Sequence, residues 1–307
     1  MKGIAKLAID AGTKIDILNS KKSPIEPLDY VVGGMEAETV GVLVAPGGYG
    51  KTMLVLNICL SVSTGIDLTK GALPAKHTGK VLYINLEDSP KALTNRIKSI
   101  TKEYLTDEQV EELAENCDIV SLKGLSLKLL DSKGQPVDEH IDWLLERTKG
   151  YRLVVIDTLK RLHSANESDA SHMSDLLGVL EGVCVQNGCS ILLVHHANKS
   201  ATMNGQGGEA GASRGSSVIT DNARYQLNLS GLSEKRAKEV GIDPELRRKF
   251  VVMTESKVNN KADMDGVILM RDGNGILVRP VLTLEHMKVI PKTGGAKKSK
   301  QEAHDEY

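Results

Sequence analysis

Aromatic residues are scarce, 3% of 307 positions, with one Trp and one Phe. A row of rings on which bases could stack is therefore a poor account of any single-strand binding. The four cysteines, Cys59, Cys117, Cys184 and Cys189, include no C-x-x-C pair. That spacing argues against a zinc ribbon and for reduced thiols, so a cytoplasmic location is expected. Neither sign of charge is in excess: 39 basic residues face 40 acidic ones, net −1. No global positive field announces nucleic acid, and any such contact must be a local patch. No apolar run approaches membrane-spanning length, and the opening residues hold Lys2 and Lys6 without a long apolar stretch. Neither a membrane partner nor a signal peptide is expected. At roughly 150 residues per domain, the length allows one or two domains.

What the chain does have is a phosphate-binding loop. Residues 45–52 read Ala-Pro-Gly-Gly-Tyr-Gly-Lys-Thr and match the end of the pattern G-x-x-x-x-G-K-S/T. Gly47, Gly48 and Gly50 let the backbone turn sharply with its N–H groups aimed inward. Lys51 is placed to meet the β- and γ-phosphates of ATP, and the Thr52 hydroxyl to ligate Mg²⁺. Pro46, Gly47, Gly48, Tyr49, Gly50, Lys51, Thr52 and Met53 form the nucleotide-binding run. The first pattern position is Ala45, a small residue at a strand end, and is read as a tolerated variant. Residues 39–44 upstream are apolar and β-branched, as in a buried parallel strand. Residues 53–60 downstream suit a buried helix whose N-terminus faces the phosphates. Strand, loop and helix follow in the required order, which a glycine turn without a ligand would not need.

The rest of the chain alternates strands with helices. Residues 1–24 read as an arm, with Ile4, Leu7, Ala8 and Ala11 on one face of a short helix. Residues 24–34 are a Pro- and Gly-punctuated entry to a core expected over 25–290. Strands are expected at 80–88, 118–122, 152–157 and 190–196, and helices at 89–104, 106–116, 136–149 and 174–186. This implies an open, mostly parallel sheet with helices on both faces. Residues 198–217 are Gly-rich and polar, and a loop of that length is usually functional or disordered. Later strands are expected at 218–229, 250–257, 267–270 and 276–280, with a charged helix at 233–240. Asp272-Gly-Asn-Gly275 is a hairpin signal, so the late chain extends the sheet antiparallel. Residues 291–307 read as a disordered tail.

Several polar residues end these strands. Asp157 follows four apolar residues, where a carboxylate can support Mg²⁺ beside the phosphate loop. Glu87 ends the 80–88 strand, taken as the neighbour of the loop strand, and there a carboxylate can deprotonate an attacking water. Asp88 is its rival, although before Ser89-Pro90 it suits a helix N-cap better. His195 and His196 lack a third zinc ligand at plausible spacing and point to opposite faces. One of them can reach a γ-phosphate; alternation does not say which. Arg214, Arg224 and Lys257 are candidates for a cation donated to a neighbouring subunit's ATP. Lys199 and Arg214, among small donors, suit DNA-backbone contact.

Together, Leu28-Asp-Tyr-Val31, the 45–52 loop, Leu86-Glu-Asp88, Ile156-Asp-Thr-Leu-Lys-Arg161, His195-His196, Ser213-Arg-Gly-Ser-Ser217 and Asp221-Asn222 with Arg224 carry a resemblance. The chain resembles the RepA-type hexameric replicative DNA helicases of broad-host-range plasmids, ring ATPases with the RecA fold, over roughly residues 25–285. The resemblance implies Glu87 as catalytic base, Asp157 as metal support, His196 as γ-phosphate sensor and Arg224 as the finger acting on the next subunit. It implies ATP and Mg²⁺ as cofactors and a homohexamer that moves 5′ to 3′ on single-stranded DNA. Loops after Asp157 (around 163–172) and after His196 would line the channel. Ala45, the N-terminal arm and the acidic Glu167 and Asp169 of the first channel loop depart from the pattern. No primase-like zinc motif is present, so a replication initiator or a separate primase is an implied partner.

Overall fold

The computed structural model describes residues 15–196, 219, 222–258 and 266–281. The helix expected within 1–14, the 198–217 loop with Lys199 and Arg214, and the 291–307 tail lie outside the described residues. The first strand expected from the sequence, 39–44, is preceded by a small antiparallel hairpin, β1 (Tyr30–Val32) and β2 (Met35–Glu36). The phosphate-loop strand is therefore β3 (Val40–Ala45). The hairpin is too short for alternation to reveal it. Before it, the one-turn helix α1 (Ile17–Ser20) is capped by the Asp16 carboxylate, and Ile15, Ile17, Leu18 and Ile25 are exposed.

The remaining elements are α2 (Lys51–Thr64), β4 (Val81–Asn85), α3 (Pro90–Tyr104), α4 (Asp107–Asn116) and β5 (Cys117–Ser121). They continue with α5 (Asp138–Arg147), β6 (Leu153–Asp157), α6 (Ala170–Asn187), β7 (Ser190–His196) and β8 (Tyr225–Gly231). Last come α7 (Glu234–Glu239), β9 (Phe250–Val258), β10 (Val267–Arg271) and β11 (Leu277–Val278). Among the described residues, β3 to β11 form one sheet in the order β11-β10-β9-β8-β3-β7-β6-β4-β5. Pairing is parallel from β8 to β5 and antiparallel from β8 outward to β11. The expected mostly parallel sheet with antiparallel late strands is therefore what the chain forms. The register begins later than expected at β8: residues before it make a helical turn, with Ala223 N–H donating to the Ile219 carbonyl at 2.9 Å.

The strands of the parallel half bury both faces. Leu43, Tyr83, Val155 and Leu192 pack with α2 on one side. Val42, Ile84, Ile156 and Leu193 pack with α5 and α6 on the other. Successive residues of a strand point to opposite faces, so these runs must be apolar throughout. Helix α2 is buried along nearly its whole length, which its apolar sequence Met53-Leu-Val-Leu requires. Two caps differ from expectation. Ser89, not Asp88, caps α3, because its hydroxyl accepts from Ala92 N–H while Asp88 instead pairs with Arg96 at 2.5 Å. Helix α6 begins at Ala170, ahead of the expected start at Ser174, because the Asp169 carboxylate accepts from the N–H groups of Ser171 and His172. The end of the expected first channel loop, from Ala170 onward, is therefore helix, and His163 at its start is buried.

Candidate nucleotide site

The site assembles at the carboxyl edge of the parallel half. The register sets Ala45 beside His196, Val194 beside Asp157, and Asp157 beside Asn85. The strand leading to Glu87 is not the neighbour of β3, contrary to the expectation from sequence: β7 and β6 lie between them. Glu87 sits two residues past the end of β4, and the turn after the strand brings it back toward the phosphate loop.

That loop is built for an anion. Gly50 caps α2 in the left-handed region at φ 89° and Gly48 lies there at φ 83°, conformations that favour glycine. A methyl built on Gly47 or Gly48 would meet no atom within 4 Å, so the concave side of the loop is open. The N–H groups at the start of α2 add the positive end of its dipole. Lys51 is buried, and its Nζ donates to the carbonyls of Ala45 and Pro46, each at 2.9 Å. Burial pulls its pKa down, while Asp157 and Glu87 pull it back up. The same Nζ lies 3.1 Å from His196 Nδ1. An ammonium can only donate, so Nδ1 accepts and the ring proton resides on Nε2. Nε2 is 3.4 Å from Glu87 Oε2. A chain of three side chains thus runs from the phosphate loop through His196 to Glu87. Of the His pair, His195 is buried on the opposite face and His196 is the one at the site.

Asp157 is buried beside them. Its Oδ2 accepts from Tyr83 Oη at 2.9 Å and from Asn85 Nδ2 at 3.2 Å. Burial raises its pKa, the Tyr83 bond lowers it, and the charges of Glu87 and Asp88 raise it further. With Oδ2 engaged, Oδ1 is the oxygen available to a hydrated cation. The peptide joining Asp157 to Thr158 is cis, and Thr158 Oγ1 donates to the Val194 carbonyl at 2.7 Å. An open glycine cradle, a buried ammonium, the half-buried Thr52 hydroxyl and a buried carboxylate are a donor set that fits a nucleotide with Mg²⁺.

On the other flank the β10–β11 hairpin closes against the loop. Arg271 donates to the Gly48 carbonyl at 3.0 Å, and its guanidinium carbon lies 5.9 Å from the centre of the Tyr49 ring. Asn57 of α2 donates to the Leu277 carbonyl at 2.6 Å, and Tyr104 donates to Asp272 at 2.7 Å. Arg224 is not part of this cluster. It is exposed, and its N–H donates to the Val40 carbonyl at 3.2 Å, at the amino end of β3. The five residues to Ala45 span about 16 Å at roughly 3.3 Å each, so Arg224 and the loop of its own chain lie at opposite edges of the sheet. Lys257 lies near the same edge, paired in register with Gln226.

Sequence reasoning missed Tyr83, Asn85 and Arg271. The first two had a signal: polar residues two apart in an otherwise apolar strand, hence on one face. Arg271 had none, because its contact with Gly48 joins segments far apart in the chain.

Residues 13–202 match the model of the family described as an AAA domain. Among solved structures, the chain is similar to the ATPase domain of a helicase, with 14% identity, TM-score 0.53, and 79% of this chain and 85% of that one covered. It also matches a RadB recombinase at 14% identity and TM-score 0.49, over 78% of this chain and 90% of that one. With the family match spanning more than half of its residues, the chain belongs to the AAA domain family and carries the fold of a RecA-like P-loop ATPase.

Proposed function

We propose that the chain is a Mg²⁺-dependent ATPase that drives a ring-forming replicative DNA helicase of the RepA type, translocating on single-stranded DNA for a plasmid or other mobile element. The observation that carries this reading is the Lys51–His196–Glu87 chain, which ties a phosphate loop to a carboxylate two residues past a strand end. Lys51 exchanges its carbonyl partners for the β- and γ-phosphates. Mg²⁺, held by Thr52 and water-bridged to Asp157, supplies charge neutralisation at the same phosphates. Glu87 accepts the proton of the attacking water. His196 lies between Lys51 and Glu87, so loss of the γ-phosphate alters both of its hydrogen bonds. The loop that follows β7 inherits the change. Arg224, at the far edge of its own sheet, is positioned for a neighbouring copy's nucleotide rather than its own. A hexamer of this chain, with an initiator or primase protein supplying priming, is the assembly this implies.

The test is the ATPase rate with and without single-stranded DNA, measured across salt. The helicase reading expects stimulation that weakens with salt, with a slope near −0.7 per phosphate contacted in log–log terms. Unchanged ATPase at every DNA and salt concentration removes the DNA substrate. A second reading shares the same site: a RecA-fold regulator or recombinase-type filament protein without unwinding activity. Electron microscopy of the ATP-bound protein separates the two, since closed rings support the first and open filaments the second.

A further inference from the structure

Asn85 is fully buried, at 0% exposure, at the end of an apolar strand. Its Oδ1 accepts from Glu87 N–H at 3.0 Å and Asp88 N–H at 2.6 Å. Its Nδ2 donates to Tyr83 Oη at 2.8 Å and to Asp157 Oδ2 at 3.2 Å. The two backbone N–H groups can meet only an acceptor, so the orientation of the amide follows from its partners. One side chain thus holds the turn that carries Glu87 and, with its other end, the carboxylate of Asp157. Asp88 is pinned from the far side: Arg96 pairs with its carboxylate at 2.5 Å, and Ser121 Oγ donates to its carbonyl at 2.7 Å.

We propose that Asn85 is a positioning residue of the ATPase, fixing the distance between Glu87 and the Asp157 side of the nucleotide. This rests on the ATPase reading above. No side chain of another type does the same work. Leucine would leave two N–H groups and the Tyr83–Asp157 pair without a partner. Aspartate keeps the acceptor but sets a second carboxylate against Asp157. A base displaced by about 1 Å loses on the order of 10²-fold in rate, so a hinge of this kind acts on turnover rather than on binding.

The experiment measures steady-state ATP hydrolysis of the full chain with single-stranded DNA, ATP binding with a fluorescent ATP analogue, and thermal melting. It covers Asn85→Ala, Asn85→Asp, Glu87→Gln and the doubles with Glu87→Gln. The expected result for Asn85→Ala is a fall in kcat of roughly 10- to 100-fold, with KM and analogue binding within about threefold and the melting curve still cooperative. Asn85→Asp, which keeps the bonds to Glu87 and Asp88, falls less. In the Glu87→Gln background either change has no further effect, because Asn85 acts through that carboxylate. A structural role alone would lower rate by the same factor in both backgrounds. That multiplicative result, or a wild-type kcat in Asn85→Ala, overturns the proposal. Should Asn85→Ala not fold, the near-isosteric Asn85→Asp carries the same cycle. A wild-type chain without ATP hydrolysis under any of these conditions instead overturns the ATPase reading itself.

Discussion

The two halves of the sheet bury their strands differently. In β3, β7, β6 and β4 every residue but His196 is buried, and the apolar side chains alternate between two cores. From β8 onward only one face joins the α2 core: Leu227, Leu229, Val251 and Met253 point there, while Gln226, Asn228 and Ser230 occupy the other face of β8. Asn228 Nδ2 donates to Ser256 Oγ at 2.7 Å and Gln226 Nε2 to Asn228 Oδ1 at 2.8 Å, so part of that face is a hydrogen-bonded ladder of side chains. The parallel half is a rigid double-sided slab that sets its polar chemistry at one edge. The late strands are a one-sided extension whose hairpin leans on the phosphate loop through Arg271 and Leu277. The slab is the place for groups that must not move during chemistry, and the extension for groups that tune or transmit.

If that division is right, substitutions at the edge of the slab strike turnover and those in the extension strike binding or communication. The largest effect is expected from Lys51→Ala, which removes the buried ammonium: ATP hydrolysis and any DNA unwinding fall together to background in a coupled-enzyme assay. Arg224→Ala comes next. It should lower hydrolysis by about 10³- to 10⁵-fold while leaving nucleotide binding intact, and mixing it with Glu87→Ala subunits should restore some turnover. Absence of rescue in mixed assemblies removes Arg224 from the trans role and returns β8 to a purely structural part. Glu87→Gln should reduce kcat by about 10²- to 10⁴-fold with analogue binding retained, whereas a change in KM alone would place Glu87 outside the chemistry.

Smaller effects sharpen the same comparison. Arg271→Ala removes the hydrogen bond to Gly48 and the contact with Tyr49. It should raise KM for ATP by about three- to tenfold, one net hydrogen bond's worth, and leave kcat near wild type. A fall in kcat would make the hairpin part of the catalytic half. The smallest expected effect is at Asp29, whose pair with Arg152 (2.7 Å) fastens the entry segment to the foot of β6. The hydrogen bond from Arg152 is the main cause of its lowered pKa, opposed by burial and helped by the Arg152 charge. A depressed carboxylate pKa stabilises the fold above the unfolded-state pKa, near 3.9, and that stability is lost as pH falls through the folded value. Asp29→Asn should therefore lower the midpoint of urea unfolding slightly at pH 7, by about 1 kcal/mol or less for a half-exposed pair. The difference should vanish at the acid end of the range.

Much of the slab was legible in the residues. Apolar runs such as Leu153-Val-Val-Ile156 belong to strands buried on both faces, and the glycines of 45–52 are required wherever a backbone wraps a phosphate. Element ends were read within a few residues, with errors where a cap competes: Ser89 displaced Asp88, and Asp169 drew α6 forward into an expected loop. The two-strand hairpin before β3 escaped notice because two or three residues carry no period.

The order of elements, the phosphate loop and the list of polar residues at strand ends were determined by the sequence alone, because periodicity and backbone conformation are local properties. Which of two adjacent histidines meets Lys51, which strands separate Glu87 from the loop, and how far Arg224 stands from its own nucleotide site were decided only by the tertiary structure. Those are matters of strand order and register, set by the packing of helices on both faces of the sheet, and no local stretch of chain encodes them.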